Sequence, residues 1–453
     1  MTLPSVYYNN DPTSFAFSTC QKRWPTIVEN MVNDIRQALV ENCSSQDFLT
    51  QGETIFARLS QLLLDIRFDH AILPFEEPSV PGLASYDERI AKLETPPTWL
   101  TAPWLFSECY LYRRAHIAFV QQPLWKDYDV FNRLKQETFK SSEAGVVELA
   151  VRYQQLHAEL QHEVSVESLK LLFREFADIS LWGNATDLSL LANATLEDIK
   201  SVQGAEARKN SEKNILANDL DAAWDQLYNK AQDKAHRRVD IVLDNSGFEF
   251  YADLIFTLFL LDSKLVSKVV LHCKTIPWMV SDTMIKDYQI TIDDLNSKEF
   301  FPTGREPLEF LARQLEQYKA SGALELQDHE FWAAELDYWH IKPSETKYGG
   351  AEVHRELAKS DLVIFKGDLN YRKLTGDRKW PRDTPFITGI GDLASSGLKI
   401  WSLRTCKADV CCGLEKGKDE ELSQIWRDQG NKVGELWCSS GKWAVMSFSN
   451  GQN

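Results

Sequence analysis

The sequence predicts an α/β protein in which a helical N-terminal half precedes a C-terminal half built on a mostly parallel sheet. Two observations carry this expectation. From about Ser14 to Tyr228, apolar residues recur at helical spacing, as in TIVENMVNDIRQALV and ESLKLLFREFADISLW, and continuous β-branched runs are rare. After His236 the pattern changes to short apolar runs, VDIVL, KVVLHC, DLVIF and LKIWSL, with a helical stretch from Phe250 to Ser263 between the first two. Strands that are continuously apolar, rather than alternating, are expected where helices cover both faces of a parallel sheet.

A chain of 453 residues exceeds one ordinary core, so residues 1–230 are read as a helical domain and 231–453 as the α/β domain. Two breaks interrupt the helical half: a proline-rich stretch from Pro74 to Pro103 and a polar segment from Gln203 to Asn214. At the C-terminus, GELWCSSGKWAVMSF reads as a hairpin with Ser439, Ser440 and Gly441 at its turn, giving antiparallel strands at one sheet edge.

Composition narrows the partners. Hydrophobic residues at 43% supply enough apolar surface for a packed core, and a formal charge of -16 opposes a nucleic-acid partner, which needs concentrated Lys and Arg. The start, MTLPSVYYNNDPTSFAF, shows no basic region followed by an apolar run, and no stretch reaches the ~20 apolar residues of a membrane span. The expectation is a cytoplasmic protein, or one shared with the nucleus, that meets neither membrane nor nucleic acid. No long heptad pattern indicates an oligomeric state. Cys20, Cys43, Cys109, Cys273, Cys406, Cys411, Cys412 and Cys438 are scattered and read as reduced thiols, and the Cys406 to Cys412 group lacks the paired spacing and nearby His of a zinc site. Three glycosylation-like triplets, at Asn42, Asn184 and Asn193, carry no weight without a secretory signal.

In an open α/β sheet ligands bind beyond the carboxyl ends of the strands, so the residues after each apolar run are the informative ones. VDIVL leads into Asp244, Asn245, Ser246 and Gly247; KVVLHC leads through Lys274 and TIPWMVS to Asp282; DLVIF leads to Lys366, Gly367 and Asp368; LKIWSL leads to Arg404, Thr405 and Lys407. Asp244, Asn245 and Asp282 form a hard oxygen set suited to Mg²⁺ or Mn²⁺, with positions left for water and phosphate. Lys366, Arg372, Arg404 and Lys407 could hold a phosphoryl group beside that cation, the combination that phosphoryl transfer requires. Duller readings exist for each. Asp244 could be a turn former, Ser246 and Glu249 fit a capping box, Asp253 could be a solvated helix residue, and Arg404 and Lys407 could be surface cations.

Other motifs fail. GIGDLA at Gly389 to Ala394 follows a proline-containing loop rather than a strand, and no P-loop, HExxH or GxSxG occurs. The Asp-x-Asp of haloacid-type phosphatases is absent, since Asp244 is followed by Asn245 and Ser246.

The strings VDIVLDNSGFEFYADL, KTIPWMVSDT, FKGDLNYRKLTGDRKW and SLRTCK, with PWLFSECYLYRR and ISLWGNATDLSLL in the helical half, resemble the damage-control phosphatase family. The likeness is to its branch with an Arg-Thr-x-Lys signature, here Arg404-Thr405-Cys406-Lys407, also called acidic-residue methyltransferase-like. The resemblance covers almost the whole chain. It implies a three-layer α/β/α, Rossmann-like C-terminal domain and hydrolysis of phosphorylated sugars, such as fructose 1-phosphate and fructose 6-phosphate, with Mn²⁺, Mg²⁺, Co²⁺ or Ni²⁺. It places the metal on Asp244, Asn245 and Asp282. It places substrate, in addition to Asp244 and Asn245, on Asp368, Leu369, Asn370, Tyr371 and Arg372, with phosphate on Lys407. Under the methyltransferase name, Glu249 and Asp282 would also touch S-adenosylmethionine. The residues themselves favour a phosphatase, because no glycine-rich turn follows the first strand. Methyl transfer onto a protein carboxyl and noncatalytic sensing of sugar phosphates stand as the alternatives.

Overall fold

The computed structural model describes residues 2–42, 45–77, 80–93, 95–183, 212–231, 233 and 235–452. Cys43, Asn184, Asn193 and most of the polar break from Gln203 to Asn214 lie outside the described residues. The first half carries α1 (Phe15–Ser18), α2 (Trp24–Glu41), α3 (Gln46–Arg67), α4 (Ala84–Ala91), α5 (Trp104–Val120), α6 (Asn132–Ser141), α7 (Glu143–Leu160) and α8 (Val166–Trp182). Next come β1 (Ile215–Asn218), α9 (Leu220–Asp225), β2 (Arg238–Val242), α10 (Phe248–Asp262), β3 (Lys268–Cys273), α11 (Ile285–Asn296) and α12 (Arg305–Ser321). The chain finishes with β4 (Leu324–Asp328), α13 (Gly350–Leu357), β5 (Leu362–Lys366), α14 (Gly367–Leu374), α15 (Phe386–Gly389), β6 (Ile400–Thr405), α16 (Lys418–Asp428) and β7 (Ala444–Ser449).

Local chemistry sets several of these boundaries. Ser45 and Ser165 cap α3 and α8, each hydroxyl accepting the backbone N–H three residues on and satisfying an otherwise orphaned donor. Helix α10 is buried from Glu249 through Asp262, as a helix apolar on all sides must be.

The seven strands form one sheet in the order β1-β7-β6-β5-β2-β3-β4. All neighbours pair in parallel except β6 with β7, so β1 and β7 run against the other five. Side chains alternate between the faces with the two-residue period of a strand. Val242, Val363, Phe365 and Ile400 join one apolar cluster, which holds α2, α3 and α5. Val239, Ile241, Leu362, Ile364 and Leu403 join a second, with α7, α8, α10 and α12. Both faces of the sheet are thus covered by helices, and both clusters draw residues from either side of position 230.

Two expectations are corrected. The segment read as a C-terminal hairpin is a 3-10 turn, Gly434–Ser439, leading into one strand, β7, whose antiparallel partner is the distant β6. The turn residues were real, but they end a helical turn instead of reversing a strand. Strands β1 and β4 carry no strand signal in the sequence because they lie at the sheet's edges: only one residue of each is buried, so neither shows a continuous apolar run. The seven described cysteines are all buried and free. No helix among the described residues is long and apolar enough to cross a membrane.

Candidate active site

From β2 the chain winds outward through β3 to β4, then returns to the other flank of β2 with β5 and β6. The strand order therefore reverses between β2 and β5, and such a switch point opens a crevice at the carboxyl ends of the strands. The residues leaving β2, β3, β5 and β6 meet there.

Gly367, directly after β5, has φ of +82°, a conformation that side-chain-bearing residues rarely adopt. A Cβ at this position would lie 1.8 Å from Oδ2 of Asp244, so only glycine lets the β5 loop close over the carboxylate leaving β2. The β2 and β3 loops are laced together. Thr283 N–H donates to the Asp244 carbonyl at 2.8 Å, Ser246 N–H donates to the Ser281 carbonyl at 2.7 Å, and Asn245 bridges to Asp282 as an isolated antiparallel pair. The Asn245 amide donates to Asp244 Oδ2 at 2.8 Å and to Glu249 Oε2 at 2.9 Å, while its Oδ1 accepts the Ser281 hydroxyl at 2.6 Å.

Asp244, Glu249, Asp253 and Asp282 are all buried in one region. Burial raises the Asp244 pKa well above the usual carboxylate range, Glu249 and Asp282 push it further, and Lys274 and Lys407 only partly oppose them. Asp282 is raised to about 6, chiefly by burial, with Lys274 opposing. The Lys274 ammonium donates to the Leu243 carbonyl at 2.8 Å and stands 3.3 Å from Asp282 Oδ2, an ion pair without hydrogen-bond alignment. That oxygen is buried and meets this ammonium without accepting a well-aligned hydrogen bond from any side chain or backbone group among the described residues.

Of the four cations that could have faced phosphate, three are fully engaged by the protein. The Lys366 ammonium binds the Ser180 carbonyl and hydroxyl and lies 3.0 Å from Asp253. Arg372 pairs with Glu108 and Asp377 and stacks on Trp104, 3.7 Å from the ring centre, so it bolts α14 to α5 and does not enter the crevice. Arg404 donates to Asp368 and to the carbonyls of Val410 and Ala408, over the Tyr371 ring. Lys407 is the fourth. It remains partly exposed, its N–H donates to Asp368 Oδ1 at 3.0 Å, and its charge is felt by Asp244.

The remaining predicted residues divide by depth. Asp368 keeps a side chain 16% exposed, while Leu369, Asn370 and Tyr371 are buried. Asn370 is a clamp: its amide donates to the carbonyls of Val242, Leu243 and Lys366, and its oxygen accepts the Tyr338 hydroxyl at 2.5 Å. The Tyr371 hydroxyl is paired with the Cys412 backbone. Two duller readings also fall. Gly247, not Ser246, is the N-cap of α10, so there is no capping box and Glu249 turns toward Asn245 and Lys366. Asp253 is fully buried, not solvated. Lys274 and Gly367 stand directly after apolar strands, the position that signals a site in this kind of sheet, yet the sequence alone assigns neither of them a role.

These donors fit a divalent cation. Asp282 Oδ2 accepts no well-aligned hydrogen bond beyond its ion pair with Lys274, Asp244 lies among like charges, and Asn245 Oδ1 retains a second lone pair. No three His, Cys, Asp or Glu side chains among the described residues are grouped to hold a metal by themselves. Two carboxylates and an amide would leave the rest of the coordination to water and phosphate, as oxygen-bound Mg²⁺ commonly does.

A family model described as the damage-control phosphatase ARMT1-like domain matches residues 19–422. The chain is 32% identical over 459 residues to damage-control phosphatase ARMT1 of Bos taurus, covering 98% of each protein. Identity to the proteins of the same name from Macaca fascicularis and Homo sapiens is 32% over 461 residues and 31% over 460, again with 98% of each covered. A solved DUF89 family protein from Pyrococcus horikoshii aligns over 94% of this chain and 96% of its own at 11% identity and a TM-score of 0.40, a likeness too loose to bear on the site. With a family model spanning most of its length and relatives aligned almost end to end, the chain belongs to the damage-control phosphatase ARMT1-like family.

Proposed function

We propose that this phosphatase-family chain is a divalent-metal-dependent phosphomonoesterase whose substrates are sugar phosphates of the fructose 1-phosphate and fructose 6-phosphate type. The observation that carries the reading is the pair Asp244 and Asp282, buried together in the loops that follow two adjacent parallel strands, with Lys274 ion-paired to Asp282 and the charge of a partly exposed Lys407 felt by Asp244. Asp244, Asn245 and Asp282 would hold the cation. Oxygen donors suit Mg²⁺ and Mn²⁺, with Co²⁺ and Ni²⁺ further along the affinity series. A bound cation supplies neutralising charge for phosphoryl oxygens and makes a coordinated water more acidic.

The chain's own groups do the remaining work. Lys407 offers the ammonium that meets the phosphoryl oxygens, and Asp368 fixes the Lys407 backbone through the N–H bond at 3.0 Å. Asp368 also presents the more exposed face of the α14 segment, so it is the member of Asp368 to Arg372 assigned to the sugar. Leu369, Asn370, Tyr371 and Arg372 act behind it as support. Both oxygens of Glu249 already have partners, the Asn245 amide at 2.9 Å and the Lys366 ammonium at 3.6 Å, which weighs against the S-adenosylmethionine reading.

The test is a comparison of two readouts on one preparation: phosphate release from hexose and pentose phosphates with added Mn²⁺ or Mg²⁺, and labelled methyl transfer from S-adenosylmethionine to protein. Metal-dependent phosphate release without methyl incorporation is expected. Methyl incorporation alone would replace the reading with the methyltransferase, and saturable sugar-phosphate binding with no turnover would replace it with a sensor.

A further inference from the structure

Asp282 reaches the crevice from a loop with an unusual backbone. Met279 and Val280 lie at φ of 46° and 74°, and a β-branched residue in the left-handed region is an outlier that its surroundings must enforce. Asp282 N–H donates back to the Trp278 carbonyl at 3.1 Å, closing the turn. The next peptide group is then held at both ends. Its N–H, on Thr283, donates to the Asp244 carbonyl, and its oxygen, on Asp282, accepts the ammonium of Lys135 at 3.1 Å.

Lys135 belongs to α6, outside the segment that carries the site. It is 6% exposed and spends all three of its N–H bonds: on the Asp282 carbonyl, on Asp129 Oδ2 at 3.1 Å and on Asp287 Oδ2 at 3.0 Å. Asp287 also accepts the Met284 N–H at 2.8 Å, and Lys286 braces Asp129 at 2.9 Å. The tripod therefore ties the end of the Asp282 loop to α6 and to the start of α11. A buried ion pair is by itself weak evidence of stabilisation, so its aim matters more than its presence. Here the third arm ends on the backbone of Asp282, the residue that pairs with Asn245 across the two loops.

We infer that Lys135 is a positioning residue for Asp282: by fixing the Asp282–Thr283 peptide between itself and the Asp244 carbonyl, it sets the direction of the Asp282 carboxylate toward the cation. This rests on the proposal that Asp282 is a metal ligand. Outer partners that orient ligands typically change metal affinity about ten- to a hundredfold when removed.

The experiment uses the full chain, Mn²⁺ as probe, and calorimetric Mn²⁺ titration alongside turnover of p-nitrophenyl phosphate. Lys135→Met should weaken Mn²⁺ binding about ten- to a hundredfold, with a smaller fall in kcat once Mn²⁺ saturates, and Lys135→Arg should recover part of the affinity. If Lys135→Met does not fold, Asp129→Asn, which keeps the lysine but loosens its tripod, should weaken Mn²⁺ binding in the same direction by a smaller factor. A folded Lys135→Met, or in its place Asp129→Asn, that binds Mn²⁺ as tightly as the wild type overturns the inference and leaves Lys135 a structural ion pair. Asp282→Asn separates this from the parent reading: if that variant binds Mn²⁺ normally, Asp282 is no ligand, and both readings fall.

Discussion

Gly367 and Asp244 are packed so closely that any side chain on the first would overlap the carboxylate of the second, since a Cβ there would lie 1.8 Å from Oδ2. Gly367→Ala should therefore fail twice. The positive φ costs roughly 1–3 kcal/mol for a residue other than glycine. Displacement of Asp244 by about an ångström should lower kcat/KM about a hundredfold. Thermal unfolding and steady-state kinetics on the same variant check both; unchanged turnover would mean that Asp244 is not at the reacting centre.

Asp244→Asn should abolish most activity, by more than about a hundredfold, since losing a ligand should exceed the loss of an outer-shell partner. It should do so without loss of stability at neutral pH. The wild-type carboxyl is pushed up by burial, Glu249 and Asp282, so neutralising it relieves an unfavourable charge. A variant much less stable than the wild type in denaturant titration would contradict this electrostatic account.

The raised Asp282 pKa gives pH dependence a sign. Between its ordinary value of 3.8 and about 6, the folded, metal-free chain keeps a proton that the unfolded chain releases. This group's contribution to stability, present below 3.8, is thus lost as pH rises through about 6. Cation binding must expel the same proton, so Mn²⁺ affinity should climb as pH rises across about 6. Calorimetry in buffers of different ionisation enthalpy reads both the affinity and the proton release. Affinity independent of pH through this range would sink the assignment.

Arg372→Ala should destabilise the fold by about 3–5 kcal/mol, because it strands the buried charges of Glu108 and Asp377. Asn370→Ala should lower stability and slow every substrate alike, since its polar atoms serve the β2 and β5 carbonyls and Tyr338. Neither should reorder a panel of sugar phosphates. Asp368→Asn should, and a reordered ranking with Asn370→Ala would return the sugar-reading role to that residue.

Much of this was readable in the sequence. The runs around Val239, Val269, Leu362 and Ile400 are central strands buried on both faces, and continuous apolarity is a strong signal. Parallel topology alone directs the loops leaving such strands to one edge of the sheet, which is why Asp244, Asn245, Asp282 and Lys407 fall together. Partner choice was not readable. Arg372, Arg404 and Lys366 carry the same charge as Lys407, and only tertiary packing shows that Glu108, Asp368 and Asp253 have already taken them. Lys135 was invisible for the same reason: 147 residues separate it from the carbonyl it holds. Edge strands β1 and β4 lacked the apolar run that marked the others.

The most direct test of the account strips the purified chain of metal with a chelator, then monitors phosphate release from fructose 1-phosphate as Mn²⁺ is returned, in the wild type and in Asp282→Asn. The account predicts no release without metal, saturable recovery in the wild type, and little recovery in the variant at any Mn²⁺ concentration. Release that persists in the stripped chain, or equal recovery in Asp282→Asn, would contradict it.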